Sequence, residues 1–230
     1  MKPEQKILAL DTSADACSAA LCVDGVIHEK FVVQPRVHAK IILRQTEELL
    51  ADAGITLNSI DAIAFARGPG SFTGLRIAAG VCQGLAFGAD LPVVPVSSLA
   101  GFAQTAYRAY GIEKSLVCID AKMGEVYWAG FVIGDDGLAR QELGEMISVP
   151  DAVALPESSD WAGIGSGWRE YQSVLHDIAG SKVSEIHEEA NVHAQDILRL
   201  GAKLLREQGA EPAEQAMPVY LRNEVAWKKQ

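Results

Sequence analysis

The stretch "LALDTSADACSAALCVDG" at residues 8–25 decides the fold prediction. A short apolar run ends at Asp11, the polar residues after it favour a turn, and a second apolar run covers residues 18–23. The dipeptide at residues 24–25, Asp-Gly, is typical of a hairpin turn and predicts a third strand after it. The chain is therefore expected to begin with a three-stranded antiparallel unit.

The same pattern recurs at residues 117–137, "VCIDAKMGEVYWAGFVIGDDG". An apolar strand again ends in an aspartate, Asp120, and a polar turn, a second apolar strand and an Asp-Gly turn follow. Between the two copies, apolar periodicity predicts three helices, which alternate with a buried strand at "IDAIAFARG" and a strand or edge segment at "LPVVPVSS". We interpret this as an internal duplication, which predicts an α/β fold of two related lobes. Because hairpins are common, an accidental match is the alternative.

The composition is that of a globular protein, with 49% apolar residues among 230 and a formal net charge of −10. The apolar runs are too short for a membrane-spanning helix or a signal peptide, which predicts a cytoplasmic protein. If a nucleic acid is involved, the negative charge favours contact through another subunit. The spacing of the cysteines favours buried reduced thiols over a redox or metal role. They are Cys17, Cys22, Cys82 and Cys118.

Residues 67–76, "RGPGSFTGLR", resemble a phosphate-binding loop in their glycine and hydroxyl content. They fit neither the Walker-type pattern nor the dinucleotide-binding pattern. A Walker-type loop needs a lysine directly after its last glycine, and Gly74 is followed by leucine. The three glycines also miss the dinucleotide-binding spacing by one residue. A structural turn is the stronger interpretation, with Ser71 or Thr73 capping the helix that follows.

Three glycines in that helix, Gly80, Gly84 and Gly88, recur at every fourth residue and share one face. Each costs roughly 0.5–1 kcal/mol against alanine inside a helix, and so the stripe predicts close approach of another backbone. The sequence favours the protein's own sheet as that backbone and leaves a partner helix as the alternative.

Four segments together resemble the bacterial TsaB (YeaZ) family: "ILALDTSADACSAAL", "GPGSFTGLRI", "IDAKMGEVYWA" and "PVYLRNEVAWKK". The resemblance covers nearly the whole chain. It implies an actin-like, Hsp70-type fold of the ASKHA and ribonuclease H-like class, which agrees with the internal repeat. We expect an N-terminal lobe at residues 1–108, a second lobe at 109–213, and a tail at 214–230 that packs back on the first lobe.

The resemblance also implies a function. Members of the family serve as the non-catalytic subunit in making N6-threonylcarbamoyladenosine at adenosine 37 of ANN-decoding tRNAs. They dimerise with the catalytic paralogue TsaD and support recruitment of the ATPase TsaE. For this chain it implies a homodimer when alone, indirect contact with tRNA, no membrane contact and no cofactor. The alternative is an actin-fold small-molecule kinase or ATPase that uses its own interlobe cleft.

By the same resemblance, the early helix and the glycine-rich helix are expected to pack against their counterparts in the paralogue as a four-helix bundle. The predicted interface residues are His38, Ile41, Ile42, Gln45, Leu49, Leu75, Ala79, Cys82 and Gln83. The paralogue carries two metal-binding histidines in its early helix, spaced H-x-x-x-H. Here the second position is Ile42, and because a lone imidazole is a poor site, no metal is expected.

ATP-binding relatives carry a glycine soon after the first-lobe aspartate, which "DTSADAC" lacks, and so no catalytic residue is expected. The second-lobe turn at "CIDAKMGE" lacks a glycine pair, and "GIGSGW" at residues 163–168 is either a remnant of a nucleotide turn or, as favoured, a strand-end turn. The candidates for vestigial nucleotide-contact turns are Asp11, Thr12, Ser13, Asp120, Gly165 and Gly167.

Two further constellations carry weaker signals. A hydrolase triad of Ser13, His38 and Asp11 is disfavoured because the sequence has no G-x-S-x-G elbow. The tail is either a solvated terminus, as favoured, or a small basic contribution to a tRNA or partner surface. Its relevant residues are Arg222, Trp227, Lys228 and Lys229.

Overall fold

The computed structural model describes residues 5–34 and 36–222, which form two five-stranded sheets. The first sheet contains β1 (Ile7–Asp11), β2 (Ala16–Val23), β3 (Val26–Val33), β4 (Ala62–Gly68) and β5 (Val93–Ser97). The second contains β6 (Lys114–Lys122), β7 (Glu125–Ile133), β8 (Ala139–Ser148), β9 (Trp161–Ile164) and β10 (Val183–His187). The tail residues Trp227, Lys228 and Lys229 lie outside the described residues.

The two sheets repeat one topology. The first has the order β3-β2-β1-β4-β5 and the second, read from its β8 edge, has the order β8-β7-β6-β9-β10. In each sheet the first three strands pair antiparallel, and the last two join parallel to the first strand. This is the ribonuclease H-like arrangement, present twice. The predicted duplicated α/β fold of the actin-like class is therefore confirmed.

Six α-helices in the described part of the chain cover these sheets. They are α1 (His38–Asp52), α2 (Phe72–Ala89), α3 (Ser98–Tyr110), α4 (Gly167–Glu170), α5 (Gln172–Ala179) and α6 (Ala194–Glu207). Helices α1 and α2 pack on the outer face of the first sheet, and α4 and α5 pack on the outer face of the second. Helices α3 and α6 lie between the two sheets, since their apolar side chains share one core with both.

That shared core joins the lobes. Ala9 of the first sheet, Phe102 of α3, Ile197 of α6 and Ile119 of the second sheet belong to one buried cluster. Helix α6 lies within the predicted second lobe, at 109–213, but packs on the strands of the first sheet. The boundary at residues 108–109 assigns α6 to the second lobe, and where the two lobes divide stays a prediction.

Two expectations from the composition can be compared with the structure. The side chains of Cys17, Cys82 and Cys118 are buried and form no disulfide, as expected of reduced structural thiols, whereas that of Cys22 is only partly buried. Burial raises the pKa of all three thiols, that of Cys17 to about 12. Within residues 5–34 and 36–222, none of the helices combines the length and apolar character that crossing a membrane requires.

Candidate functional site

A cleft of about 840 Å³ lies between the two lobes. Its first-lobe wall comprises the turn between β1 and β2 and the first turn of α2, and its second-lobe wall includes the hairpin between β6 and β7. The volume is in the range of small-molecule sites. Of the six vestigial-turn candidates, Ser13 and Asp120 line this cleft, whereas the other four are packed behind its walls.

Asp11 and Asp120 hold the same turn in the two lobes. A carboxylate oxygen of Asp11 accepts the backbone N–H of Ser13 at 3.2 Å, and that of Asp120 accepts the backbone N–H of Lys122 at 2.8 Å. Each aspartate thus fixes the chain reversal two residues ahead of it. The internal duplication predicted from the sequence therefore includes the same hydrogen bond, from a backbone N–H to an aspartate side chain, in both turns.

The carboxyl group of Asp11 is fully buried, and its Oδ2 atom has no hydrogen-bond partner among the described residues. Desolvation by burial raises the pKa of Asp11 to about 7, against the lowering effects of Ser13 and of the nearby His193. An enclosed carboxyl group of this kind is poorly suited to hold a metal ion facing the cleft, because no open coordination path leads to it.

The glycines of "RGPGSFTGLR" are required by the protein's own backbone. A Cβ atom on Gly74 would lie 1.9 Å from the carbonyl oxygen of Thr12, and one on Gly70 would lie 2.5 Å from that of Ser13. The Thr12 hydroxyl also donates to the Gly74 carbonyl at 2.7 Å. The loop is thus a tight corner packed on the turn between β1 and β2, and the Ser71 hydroxyl caps the helix as predicted.

The turn at residues 163–168 has a similar role in the second lobe. A Cβ atom on Gly165 would lie 2.8 Å from the Cys118 carbonyl oxygen, and one on Gly167 would lie 2.3 Å from the Cys118 sulfur. Both glycines allow β9 and α4 to approach β6 closely. These contacts favour the strand-end-turn interpretation over a nucleotide contact.

The charges in the cleft disfavour a polyphosphate. Three of its cationic side chains, those of Lys122, Arg169 and Arg222, already pair with carboxylates of the chain. Three cleft carboxylates form no ion pair within the described residues, those of Asp15, Glu170 and Glu188. The unpaired charge is mainly negative, which repels an anionic ligand.

The hydrolase triad is not assembled. The Ser13 hydroxyl has no hydrogen-bond partner among the described residues, and the Nε2 atom of His38 lies 3.2 Å from the carbonyl oxygen of Asp15. A nucleophile needs its base within hydrogen-bond reach, and here that contact is missing. His38 begins α1, as expected for a helix-start residue. Within the described residues, no group of three or more acidic, histidine or cysteine side chains is placed to hold a metal ion.

The structure places most of the residues that the sequence assigned to a partner interface on the inward-facing side of their helices, and the predicted interface stays a prediction. The inward-facing, buried members are Ile42, Leu49, Leu75, Ala79 and Cys82. All of them except Leu75 belong to the core between these helices and the outer face of the first sheet. Apolar spacing of this kind marks the face that a helix turns to its own core.

The polar members of the predicted interface are held by the chain itself. Gln45 is buried and donates to the Cys17 carbonyl at 3.4 Å, and Gln83 donates to the Ala213 carbonyl at 3.3 Å. Gln83 and Ile41 are partly exposed, and they are the two predicted residues that border the surface.

The glycine stripe of α2 faces outward. Gly80, Gly84 and Gly88 are exposed, and a Cβ atom on any of them would meet no atom of the part of the chain that the structure describes within 4 Å. The favoured interpretation, packing on the protein's own sheet, is therefore wrong, and the alternative of a partner contact remains. Large apolar side chains are exposed on the same two helices, those of Leu43, Phe72 and Phe87.

We call this surface the outer helix face. It consists of Leu43 on α1 and Phe72, Arg76, Gly80, Gly84, Phe87 and Gly88 on α2. Helices α1 and α2 pack side by side, and both contribute to the outer helix face. Along the three glycines no side chain of the described residues projects from this surface. Sequence spacing grouped the glycines correctly but could not tell which way they point.

The fold and the cleft define the class: a duplicated, two-lobed α/β protein with actin-like, ribonuclease H-like topology. A family model described as "TsaD: tRNA N6-adenosine threonylcarbamoyltransferase" matches residues 26–230. The chain therefore belongs to the TsaD family as that model defines it. Its similarity to named relatives and to a solved structure places it, within that family, in the TsaB (YeaZ) family.

The "tRNA threonylcarbamoyladenosine biosynthesis protein TsaB" of Escherichia coli strain K12 is 40% identical, over 97% of this chain and 97% of its own. The protein of the same name from Haemophilus influenzae is 39% identical, over 97% of this chain and 96% of its own. A solved structure described as "YeaZ from Pseudomonas aeruginosa" superposes with a TM-score of 0.89 at 42% identity. The match covers 95% of this chain and 100% of that one.

Proposed function

We propose that this chain is a non-catalytic subunit in the biosynthesis of N6-threonylcarbamoyladenosine at adenosine 37 of ANN-decoding tRNAs. It dimerises in the cytoplasm with a TsaD-type catalytic paralogue and supports recruitment of a TsaE-type ATPase. The names of its relatives point to this pathway. The arrangement of subunits rests on the family resemblance and on the surface described next.

The observation that carries the proposal is the outer helix face. Glycines let two helix backbones approach closely, and exposed apolar side chains around them gain roughly 25 cal/mol per Å² when buried. The three glycines of the stripe each cost helix stability, and a Cβ atom on any of them would meet no described residue within 4 Å. A partner helix pair laid over α1 and α2 would use both features. The same face offers a self-complementary contact for a homodimer when the paralogue is absent.

Three features support a non-catalytic role. The first-lobe aspartate, Asp11, is enclosed behind the wall of the cleft. Carbonyl oxygens of the chain's own backbone occupy the space beside Gly70 and Gly74, which leaves no room there for a phosphate. The unpaired carboxylates of the cleft oppose an anionic nucleotide. The overall charge of −10 likewise favours tRNA contact through the partner.

The proposal is tested in cells depleted of the chain. Nucleoside mass spectrometry of tRNA should show loss of N6-threonylcarbamoyladenosine, restored by the wild-type gene. The variant Gly84→Glu, which places a charge on the outer helix face, should fail to restore it. Gly144→Glu is the matched control, since Gly144 is exposed on β8 of the second lobe and its added side chain has space. An unchanged level of the modified nucleoside after depletion would refute the proposal.

The cleft of about 840 Å³ supports a second candidate, a small-molecule kinase or ATPase. It is tested by incubating the purified chain with ATP and Mg²⁺ and measuring phosphate release. We expect no turnover above that of the buffer. Steady turnover that Asp120→Ala abolishes would favour the kinase or ATPase instead, because Asp120 lines the cleft.

A further inference from the structure

Residues 211–222, which follow α6, cross from the first lobe to the second, and we call them the C-terminal strap. Its first part is fixed to the first lobe. Val93 of β5 and Glu211 exchange both backbone hydrogen bonds at 2.8 Å, and the N–H of Val219 donates to the carbonyl of Arg67 at 2.8 Å. Ala213 and Ala216 are buried against the outer core of the same lobe. Backbone pairing and burial thus anchor this end firmly.

The strap then reaches the mouth of the cleft at the start of α2. The Nε atom of Arg76 donates to the Tyr220 hydroxyl at 3.1 Å. The ring of Tyr220 lies 5.6 Å from that of Phe72, and the Arg76 guanidinium stacks 3.8 Å above the Phe72 ring. Tyr220 lines the cleft together with Phe72 and Arg76. These three side chains form the last contacts of the strap with the first lobe.

Two residues further on, Arg222 clasps the second lobe. Its guanidinium donates to the carbonyls of Ala121 and Lys122, both at 3.3 Å, and pairs with the Glu125 carboxylate. These acceptors surround the tip of the hairpin between β6 and β7, which forms part of the second-lobe cleft wall. A planar guanidinium can serve several acceptors at once, which a lysine cannot do with the same geometry.

We propose that the C-terminal strap holds the two lobes at a fixed opening across the mouth of the cleft and thereby controls access to it. Arg222 is the releasable end. Its side chain and that of Glu125 are partly exposed, and ion pairs in such surroundings are weak. The first-lobe end, in contrast, is paired through the backbone. Breaking the Arg222 clasp would free the hairpin tip from the strap, so that the second lobe could pivot on the shared core between the sheets.

The strap is one of several links between the lobes, and the test has to isolate it. Arg67 of β4 and Glu145 of β8 form another interlobe ion pair at 3.4 Å. Spin labels at Ala51→Cys on α1 and Glu142→Cys on β8, with Cys22→Ser, place one probe on each lobe at exposed sites. Double electron–electron resonance then reports the separation of the lobes directly.

Arg222→Ala is expected to broaden the distance distribution toward longer separations. Arg140→Ala is the matched control, because Arg140 pairs with Asp136 inside the second lobe, and it should leave the distribution unchanged. Glu125→Ala removes the ion pair of the clasp and leaves the two carbonyl contacts of Arg222, and so it should broaden the distribution in the same direction as Arg222→Ala but by less. Distributions for Arg222→Ala and Glu125→Ala that match the parent would overturn the proposal.

Access to the cleft has its own measurement. Ser13 is almost fully buried and lines the cleft, and so a thiol introduced by Ser13→Cys reports how far the mouth opens. N-ethylmaleimide should modify it several-fold faster when Arg222→Ala is added than when Arg140→Ala is added. Equal rates in the two backgrounds would show that the strap does not control access.

Discussion

Thr12 contacts Gly74 through both its side chain and its backbone. The Thr12 hydroxyl donates to the Gly74 carbonyl at 2.7 Å, and the Thr12 carbonyl oxygen occupies the place where a Cβ atom of residue 74 would stand, 1.9 Å away. This contact joins the turn after β1 to the first turn of α2. It explains a glycine that the sequence alone makes look like part of a phosphate-binding loop.

Gly74→Ala should therefore destabilise the protein. The added methyl group meets backbone that cannot rotate away, and overpacking of this kind typically costs roughly 1–3 kcal/mol. Gly80→Ala is the matched change in the same helix, where the methyl group meets nothing within 4 Å. It should raise the free energy of unfolding by about 0.5–1 kcal/mol through helix propensity. Urea unfolding of both variants gives the comparison, and equal effects would contradict the packing argument.

Ala79→Glu should unfold or strongly destabilise the isolated protein. Ala79 is 4% exposed and belongs to the core between α2 and the first sheet. A carboxylate there has no partner, and burying an unpaired charge costs several kcal/mol. Thermal unfolding of the variant alone checks this, with Gly84→Glu as the control on the exposed side of the same helix. A melting curve like that of the wild type would mean that α2 is turned differently.

Asp11 should make stability depend on pH. Burial raises its pKa to about 7 from the ordinary value of 3.8, and so the folded protein binds this proton more tightly than the unfolded chain. The stability that this proton contributes is fully present below the pKa of the unfolded chain. It is lost as the pH rises from there through about 7. Asp11→Asn mimics the neutral form and should gain stability over the wild type as the pH rises from about 4 to about 7, with no further gain above that.

The measurement is urea unfolding of both proteins across that range. The amide oxygen introduced by Asp11→Asn can still accept the Ser13 N–H, and so the variant keeps the turn between β1 and β2. The difference between the two unfolding free energies isolates this carboxyl from the other titrating groups. A difference that stays constant with pH would show that the Asp11 carboxyl is hydrated in solution.

The fold was predictable because both halves of the chain repeat one local pattern. Strands that end in Asp11 and Asp120 lead into turns held by those same carboxylates, and such turns are encoded by neighbouring residues. Strands β8 and β10 and helices α4 and α5 were not predicted. Strands β8 and β10 lie at the edges of the second sheet, and their mixed exposure removes the alternation that marks a half-buried strand.

The candidate site was less predictable, since it depends on which way elements face. The spacing of Gly80, Gly84 and Gly88 established a common face, but a stripe of small residues suits either a core or a surface. The placement of Ala79 in the core follows from the rotation of α2 on its sheet, which local sequence does not encode. The clasp of Arg222 on a hairpin about a hundred residues away was likewise beyond any sequence pattern.

The central claim is that the outer helix face binds a TsaD-type paralogue. Sedimentation velocity of the purified chain mixed with that paralogue tests it most directly, with Gly84→Glu and Gly144→Glu as the matched pair. Gly84→Glu puts a charged side chain in the path of a closely approaching helix, and burying that charge unpaired should weaken association by several kcal/mol. The account predicts a heterodimer for the wild type and for Gly144→Glu, and separate species for a folded Gly84→Glu. Full association of Gly84→Glu with the paralogue would contradict it.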